Sequence, residues 1–323
     1  MRLPKFQYVE PKSIGEASRY LAETPSAKLL AGGTDLVVNM KHRVETPPLL
    51  VNLKRVQDLD FIQLKKDGLR IGPLATLKKV SQDPNVREKA PVLAKAAASV
   101  GSYHHQTMGT IGGNICQQNR CKFFNQSEWW RSARPTCFKA GGEMCYVVNK
   151  KEICFSSYCG DVAPALLALD ARIVLKSKGD ARTIPLESFY TGIGKSPLDI
   201  KPGEIVSEIM IPAGSLSGFS LYMKIANRES IDFPIVGAAL WKSAENGDCR
   251  VAFTAVDKKP VRAHAAEDFL KGKKLTEEVI SEAAGYANKE ATPVKSSLYS
   301  PSYKRSAMKA LLESMLSEAM RRA

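Results

Sequence analysis

Two spacings of apolar residues recur along the chain, and each predicts an element. Ser13-Ile14-Gly15-Glu16 has the layout of a capping box, in which serine and glutamate each satisfy a free backbone N–H at a helix start. Ile14, Ala17, Tyr20 and Leu21 then fall on one helical face. Lys28-Leu29-Leu30 and Leu49-Leu50-Val51-Asn52-Leu53 predict strands, so residues 1–56 read as a small α/β unit. In a second unit, residues 57–213, Gly68-Leu69-Arg70-Ile71-Gly72 predicts a strand and the Ala-rich residues 91–100 a helix. Residues 163–169 predict an apolar helix or turn, and 172–175 and 204–211 have strand patterns, the second stopped by Pro212. Gly214-Ser215-Leu216-Ser217-Gly218 reads as a linker. Residues 218–323 then hold three strands (219–225, 236–241 and 250–256) and two closing helices. The last helix carries Met308, Leu311, Leu312, Met315, Leu316 and Met320 on one face, the stripe of a core or a subunit contact.

Composition narrows the class. The 323 residues are 44% hydrophobic and 25% charged, which excludes a disordered or fibrous chain and leaves room for two or three domains. No apolar run approaches the ~20 residues of a bilayer-spanning helix. Met1-Arg2-Leu3-Pro4-Lys5 lacks an apolar signal segment, so a cytoplasmic protein with no membrane partner is expected. The net charge of +14 suits an anionic ligand, an acidic partner or nucleic acid. The basic pairs are scattered, however: Lys65-Lys66, Lys78-Lys79, Lys150-Lys151, Lys258-Lys259, Lys273-Lys274 and Arg321-Arg322. With no nucleic-acid-reading motif, a solvated basic surface is expected and nucleic acid is not.

Chemistry concentrates in two places. Six of the seven cysteines (116, 121, 137, 145, 154 and 159) lie within one short stretch, and Cys249 stands alone as a buried strand residue. A local cysteine cluster in a reducing compartment binds metal or does redox work more often than it forms disulfides. Four thiolates suit either a tetrahedral zinc or a [4Fe–4S] cluster. The spacing of Cys121, Cys137, Cys145 and Cys154 lacks the short knuckle of most zinc sites, and inert buried thiols remain open. The second place is a pair of glycine segments, Ala31-Gly32-Gly33-Thr34-Asp35 and Thr110-Ile111-Gly112-Gly113-Asn114. Glycine bares backbone N–H groups to a ligand, and Thr34 and Thr110 add hydroxyls, as cradling a pyrophosphate requires. Neither segment reads G-x-G-x-x-G or is a P-loop, and each alone is as well explained by a tight turn.

Taken in order, these segments and the run from Gly160-Asp161-Val162-Ala163-Pro164-Ala165 to Ala171 resemble the flavin subunits of the molybdenum hydroxylases, the xanthine and carbon monoxide dehydrogenase medium subunits. Glu204-Ile205-Val206, Ile211-Pro212 and Tyr222-Met223-Lys224 extend the likeness over essentially the whole chain. The resemblance implies an α+β protein: a vanillyl-alcohol-oxidase (PCMH)-type FAD-binding domain of two α/β subdomains, then a C-terminal domain with a three-stranded antiparallel sheet and helices. It implies that Leu29, Leu30, Ala31, Gly32, Gly33, Thr34, Asp35, Leu36, Gly101, Thr110, Ile111, Gly112, Gly113 and Asn114 contact FAD, with Asp161 and Lys224 near the flavin.

Where such subunits have a short loop, this chain has an insert at about 116–159 containing Asn125-Gln126-Ser127-Glu128-Trp129-Trp130-Arg131. The insert resembles that of the β subunits of 4-hydroxybenzoyl-CoA reductases, which carry a [4Fe–4S] cluster besides FAD. That resemblance implies Cys121, Cys137, Cys145 and Cys154 as cluster ligands, with Cys116 and Cys159 as the nearest substitutes. Cys116 is read as a packed thiol beside the flavin, Trp129 and Trp130 as a shield against water, and His104 and His105 as loop or interface residues. It also implies partners: a molybdenum-cofactor large subunit, a [2Fe–2S] small subunit, a dimer of heterotrimers and a ferredoxin-like donor. No catalytic residue for the organic substrate is expected on this chain. The alternatives are the same flavin subunit serving an N-heterocycle, aldehyde or other thioester, and a zinc-stabilised nucleic-acid-binding protein.

Overall fold

The computed structural model describes residues 2–295 and 298–322; residues 1, 296–297 and 323 lie outside the description. Among the described residues, the apolar runs assemble into three main sheets and one two-residue ladder. In the first, Leu49–Asn52 is the central strand and pairs in parallel with Gln7–Val9 and Lys28–Leu30. A central parallel strand is covered on both faces, which is why Leu49-Leu50-Val51 is a continuous apolar run without alternation. Helix Ile14–Glu23 joins the outer strands and sets Ala17 against Leu49 and Val51. Its cap departs slightly from the expected box. Glu16 N–H donates to Ser13 Oγ at 3.2 Å, while Glu16 Oε2 accepts from Lys12 N–H at 2.9 Å.

The second sheet is antiparallel, in the order Ile62–Lys65, Gly68–Ile71, Ile205–Pro212, Arg172–Lys176, Ala181–Pro185. Its central strand comes last in sequence, so everything between Ile71 and Arg172 is an excursion from the sheet. That excursion includes the second glycine segment and the cysteine insert. Helices Pro91–Ala98 and Val162–Ala168 lie in the core shared by this sheet and one face of the third. Every residue of Val162–Ala168 is buried, which settles the apolar segment as a core helix.

The C-terminal sheet has four antiparallel strands, not the expected three. Phe219–Ile225, Val236–Lys242 and Cys249–Thr254 are joined by Val261–Arg262. Two residues are too few to show alternation, so this edge strand left no pattern to read. Three helices cover the sheet where two were expected: His264–Leu270, Glu277–Glu290 and Pro301–Arg321. The methionine–leucine stripe of the last is core, with Met308, Leu311, Leu312, Met315 and Leu316 buried and Met320 packed at the margin. Cys249 is a buried strand residue, as expected. No helix among the described residues is long and apolar enough to cross a membrane.

Candidate functional site

The first glycine segment meets Met108 and Gly109, the two residues that lead into the second. The first links strand Lys28–Leu30 to helix Leu36–Lys41, with Gly33 at φ +74°, a conformation that favours glycine. A Cβ on Gly32 would lie 2.0 Å from Met108 O, and one on Gly109 would lie 3.3 Å from Thr34 Oγ1. Only bare backbone permits this approach. The second segment is not a turn but a short helix, Ile111–Ile115, started by Thr110, whose hydroxyl accepts from Gly113 N–H at 3.1 Å. Gly112 is held against Pro73, its N–H donating to Pro73 O at 2.9 Å. The result is a seam of glycine backbone flanked by Thr34 and Thr110, and its chemistry fits the diphosphate of a flavin nucleotide.

Beyond the seam, the predicted residues join a single network. Asn114 Oδ1 accepts from Val162 N–H at 3.2 Å, fixing the start of the Val162–Ala168 helix beside Asp161. Asp161 is buried, and its Oδ1 accepts from Tyr222 Oη at 2.8 Å and pairs with Lys224 Nζ at 3.1 Å. Burial pushes the Asp161 carboxyl up to about 6, and Lys224 and Tyr222 offset part of that rise. Lys224 Nζ also donates to Ser99 O at 2.8 Å and Asp232 O at 3.0 Å. Gly101, at φ +55°, accepts from Ile231 N–H at 2.8 Å, so residues 99–101 and 231–232 are tied together beside the same lysine. His104 and His105 lie on a short helix, Tyr103–Met108, where His105 Nδ1 meets Ser102 Oγ at 2.9 Å.

The insert is closed at its neck by a pair of bonds between Arg120 and Ser157, of 2.7 and 3.0 Å. It lies against the first glycine segment and the helix that follows. Arg120 pairs with Asp35, Asn125 Nδ2 donates to Asn39 Oδ1 at 3.4 Å, and Arg131 Nη2 donates to Arg43 O at 2.7 Å. All seven cysteines are free thiols. Cys121, Cys137 and Cys154 share one electrostatic neighbourhood around Lys139, whose half-buried side chain donates from Nζ to Asn119 O at 3.1 Å. Desolvation lowers the Lys139 pKa and the thiol charges oppose that shift. Cys145 stands on the ladder Met144–Cys145 with Lys150–Lys151, next to Met144, which bridges to Cys137. Cys159 is buried on the Asp161 side, and desolvation pushes its thiol up to about 11. Among the described residues, no three His, Cys, Asp or Glu stand together as ligands of one metal ion. Trp129 is 81% exposed, which overturns the expectation that it shields this region; Trp130 instead lines a cavity of about 300 Å³ with Arg43, Arg131, Arg134, Cys137 and Tyr146.

Three residues of the network were not anticipated. Tyr222 lies two residues before Lys224 on one strand, so the two-residue period already placed both on one face. Arg120 and Lys139 had no such signal, because their partners come from distant segments.

A family model described as the FAD binding domain in molybdopterin dehydrogenase matches residues 4–214, and one for the CO dehydrogenase flavoprotein C-terminal domain matches residues 221–319. The glyceraldehyde dehydrogenase medium chain of Sulfolobus acidocaldarius is 26% identical, covering 95% of this chain and 96% of its own. The aldehyde oxidoreductase FAD-binding subunit of Escherichia coli is 32% identical over 81% of this chain and 85% of its own. Among solved structures, carbon monoxide dehydrogenase from Hydrogenophaga pseudoflava superposes with a TM-score of 0.80 at 26% identity, covering 100% of both chains. Matches along the chain to flavin-subunit models overturn the zinc-stabilised nucleic-acid-binding reading. The chain belongs to the FAD-binding medium subunits of the molybdenum hydroxylase family, and is a subunit of an oxidoreductase.

Proposed function

We propose that this chain is the flavin and iron–sulfur subunit of a molybdenum-containing 4-hydroxybenzoyl-CoA reductase complex. The single observation that carries this reading is the insert, in which six cysteines close on the FAD-binding domain through Arg120, Asn125 and Arg131. Its ligand set is Cys121, Cys137, Cys145 and Cys154. A cubane cluster holds four thiols farther apart than one metal ion does, and no three of these cysteines stand together as ligands of one ion, while Cys121, Cys137 and Cys154 all lie near Lys139.

FAD, when bound, supplies the exchange between two-electron and one-electron chemistry. The chain's own residues do the holding. The glycine seam takes the diphosphate, with Leu29, Leu30, Ala31 and Leu36 beside it on the strand and helix that the first segment joins. Asp161, Tyr222 and Lys224 form a buried polar platform at the end of that seam. The organic substrate is transformed on a partner: 4-hydroxybenzoyl-CoA takes up two electrons and two protons, and its phenolic hydroxyl leaves as water to give benzoyl-CoA. Electrons arrive from a ferredoxin-like donor and leave towards a [2Fe–2S] small subunit and a molybdenum-cofactor large subunit, within a dimer of heterotrimers in the cytoplasm. The names of relatives, as medium chains and FAD-binding subunits, support a place beside other subunits.

A second reading has its own support. One similar structure is a quinoline 2-oxidoreductase from Pseudomonas putida 86, with a TM-score of 0.79 and 25% identity, and one relative serves an aldehyde oxidoreductase. On that reading the same subunit passes electrons away from an oxidised heterocycle or aldehyde.

Anaerobically purified protein should contain about four iron, four sulfide and one FAD per chain. Flavin without iron overturns the cluster and the reductase, and leaves the family assignment. Cys145→Ser should abolish or convert the reduced-state EPR signal and leave bound FAD in place. If Cys159→Ser does so and Cys145→Ser does not, Cys159 replaces Cys145 as ligand. Turnover of 4-hydroxybenzoyl-CoA against quinoline by the purified complex separates the two readings.

A further inference from the structure

Arg120 directly precedes Cys121 and stands where the insert leaves the FAD-binding domain. Its backbone is fixed on both sides, donating to Ser157 O at 2.7 Å and accepting from Ser157 N–H at 3.0 Å. The side chain therefore starts from a closed bridge. It reaches the last residue of the first glycine segment, where Nη2 pairs with Asp35, and its guanidinium lies 4.8 Å from the centre of the Phe233 ring. Nε is buried and finds no acceptor in the protein. Leaving such a donor unsatisfied is unfavourable, and more so for a charged group.

Asp35 raises a second difficulty that the same residue answers. It lies two residues from Gly33 and within hydrogen-bond reach of Asn39, so its carboxylate stands beside the glycine seam. A bare carboxylate there repels a diphosphate. Pairing with Arg120 cancels that charge and leaves one guanidinium N–H free for an anionic oxygen.

We propose that Arg120 is an FAD-binding residue, which neutralises Asp35 and donates Nε–H to a diphosphate oxygen of the nucleotide. The neck of the cysteine insert and the flavin nucleotide then share one anchor. This rests on the reading that FAD lies along the glycine seam.

The test uses the full chain, stripped of flavin and titrated with FAD at several KCl concentrations. Wild type is expected to bind FAD less tightly as salt rises. Arg120→Met should weaken binding at low salt at least tenfold. Its salt dependence should flatten or reverse, because the uncovered Asp35 then repels the diphosphate and salt screens that repulsion. Lys122→Met, which removes a positive charge two residues away, should leave both affinity and salt dependence within twofold. Arg120→Met binding within twofold of wild type overturns the proposal. So does a weaker Arg120→Met with the wild-type salt slope, which marks a merely structural role. If Arg120→Met does not fold, Arg120→Lys decides: at least threefold weaker FAD binding is expected, and binding within twofold overturns the proposal. A wild-type chain that takes up no FAD overturns the flavin reading itself.

Discussion

Asp161 places a carboxylate in a site only 3% exposed, and the placement has a pH signature. Its pKa rises from 3.8 to about 6, chiefly because burial disfavours the charged form. A carboxyl with a raised folded pKa contributes stability that is fully present below pH 4 and is lost as pH rises through 6. Above pH 6 the folded chain therefore depends on Lys224 and Tyr222 to hold the ion. Lys224→Met should cost about 3–5 kcal/mol at pH 8, where it strands a buried charge. The cost should shrink at pH 5, where Asp161 takes up a proton instead. Asp161→Asn should flatten the wild-type decline between pH 4 and 7. Urea denaturation of the three proteins at pH 5 and 8 checks this, and an equal Lys224→Met loss at both pH values excludes Asp161 ionisation as the cause. The motif showed Asp161 and Lys224 one at a time. That they are a pair depends on strand Phe219–Ile225 carrying Tyr222 and Lys224 to the residue that starts the Val162–Ala168 helix, which no local pattern records.

At the scale of elements, legibility follows length. Helix Pro301–Arg321 repeats its stripe over 21 residues, and strand Ile205–Pro212 shows its pattern over 8. Helix Leu36–Lys41, with 6 residues, and strand Val261–Arg262, with 2, are shorter than any reliable period. The helix Ile111–Ile115 was hidden for a different reason. Two adjacent glycines oppose helix by about 1 kcal/mol each, so Thr110-Ile111-Gly112-Gly113-Asn114 reads as a turn. It is a helix because Thr110 caps it and because Gly112 fits against Pro73, where a Cβ would come within 2.6 Å of Pro73 Cβ. Tertiary fit overrides propensity here. Gly112→Ala is the discriminating substitution, since propensity alone predicts a gain. Net destabilisation of about 1–3 kcal/mol is expected, with weaker FAD retention on gel filtration, because the helix must move off Pro73. A variant as stable as wild type, with full flavin content, would show that the contact yields without cost.

For the whole molecule, the +14 charge is a question of where it lies and what it meets. The insert holds seven Lys or Arg against three Glu between residues 116 and 159, so it is more basic than the chain as a whole. Arg131 and Arg134 face the cavity beside Cys137, Arg134 lies 4.2 Å from the Trp130 ring centre, and Lys151 stands exposed on the nearby ladder. The basic charge and the candidate redox thiols therefore occupy the same region, which on the proposed function is where an acidic electron donor docks. Attraction between such faces acts mainly on the encounter rate and is screened over about 10 Å at 0.1 M salt. Reduction of the complex by an acidic ferredoxin should therefore slow at least tenfold as KCl rises from about 20 mM to 0.5 M. Arg134→Glu and Lys151→Glu should slow it at low salt and make little difference at high salt, while leaving reduction by a small neutral donor unchanged. A salt-independent rate, or loss at high salt as well, places the docking face elsewhere on the molecule. Stopped-flow reduction across the salt series reads both outcomes, and it separates steering by the insert from the chain's overall charge, because Lys65→Glu, remote in sequence from the insert, changes the net charge equally.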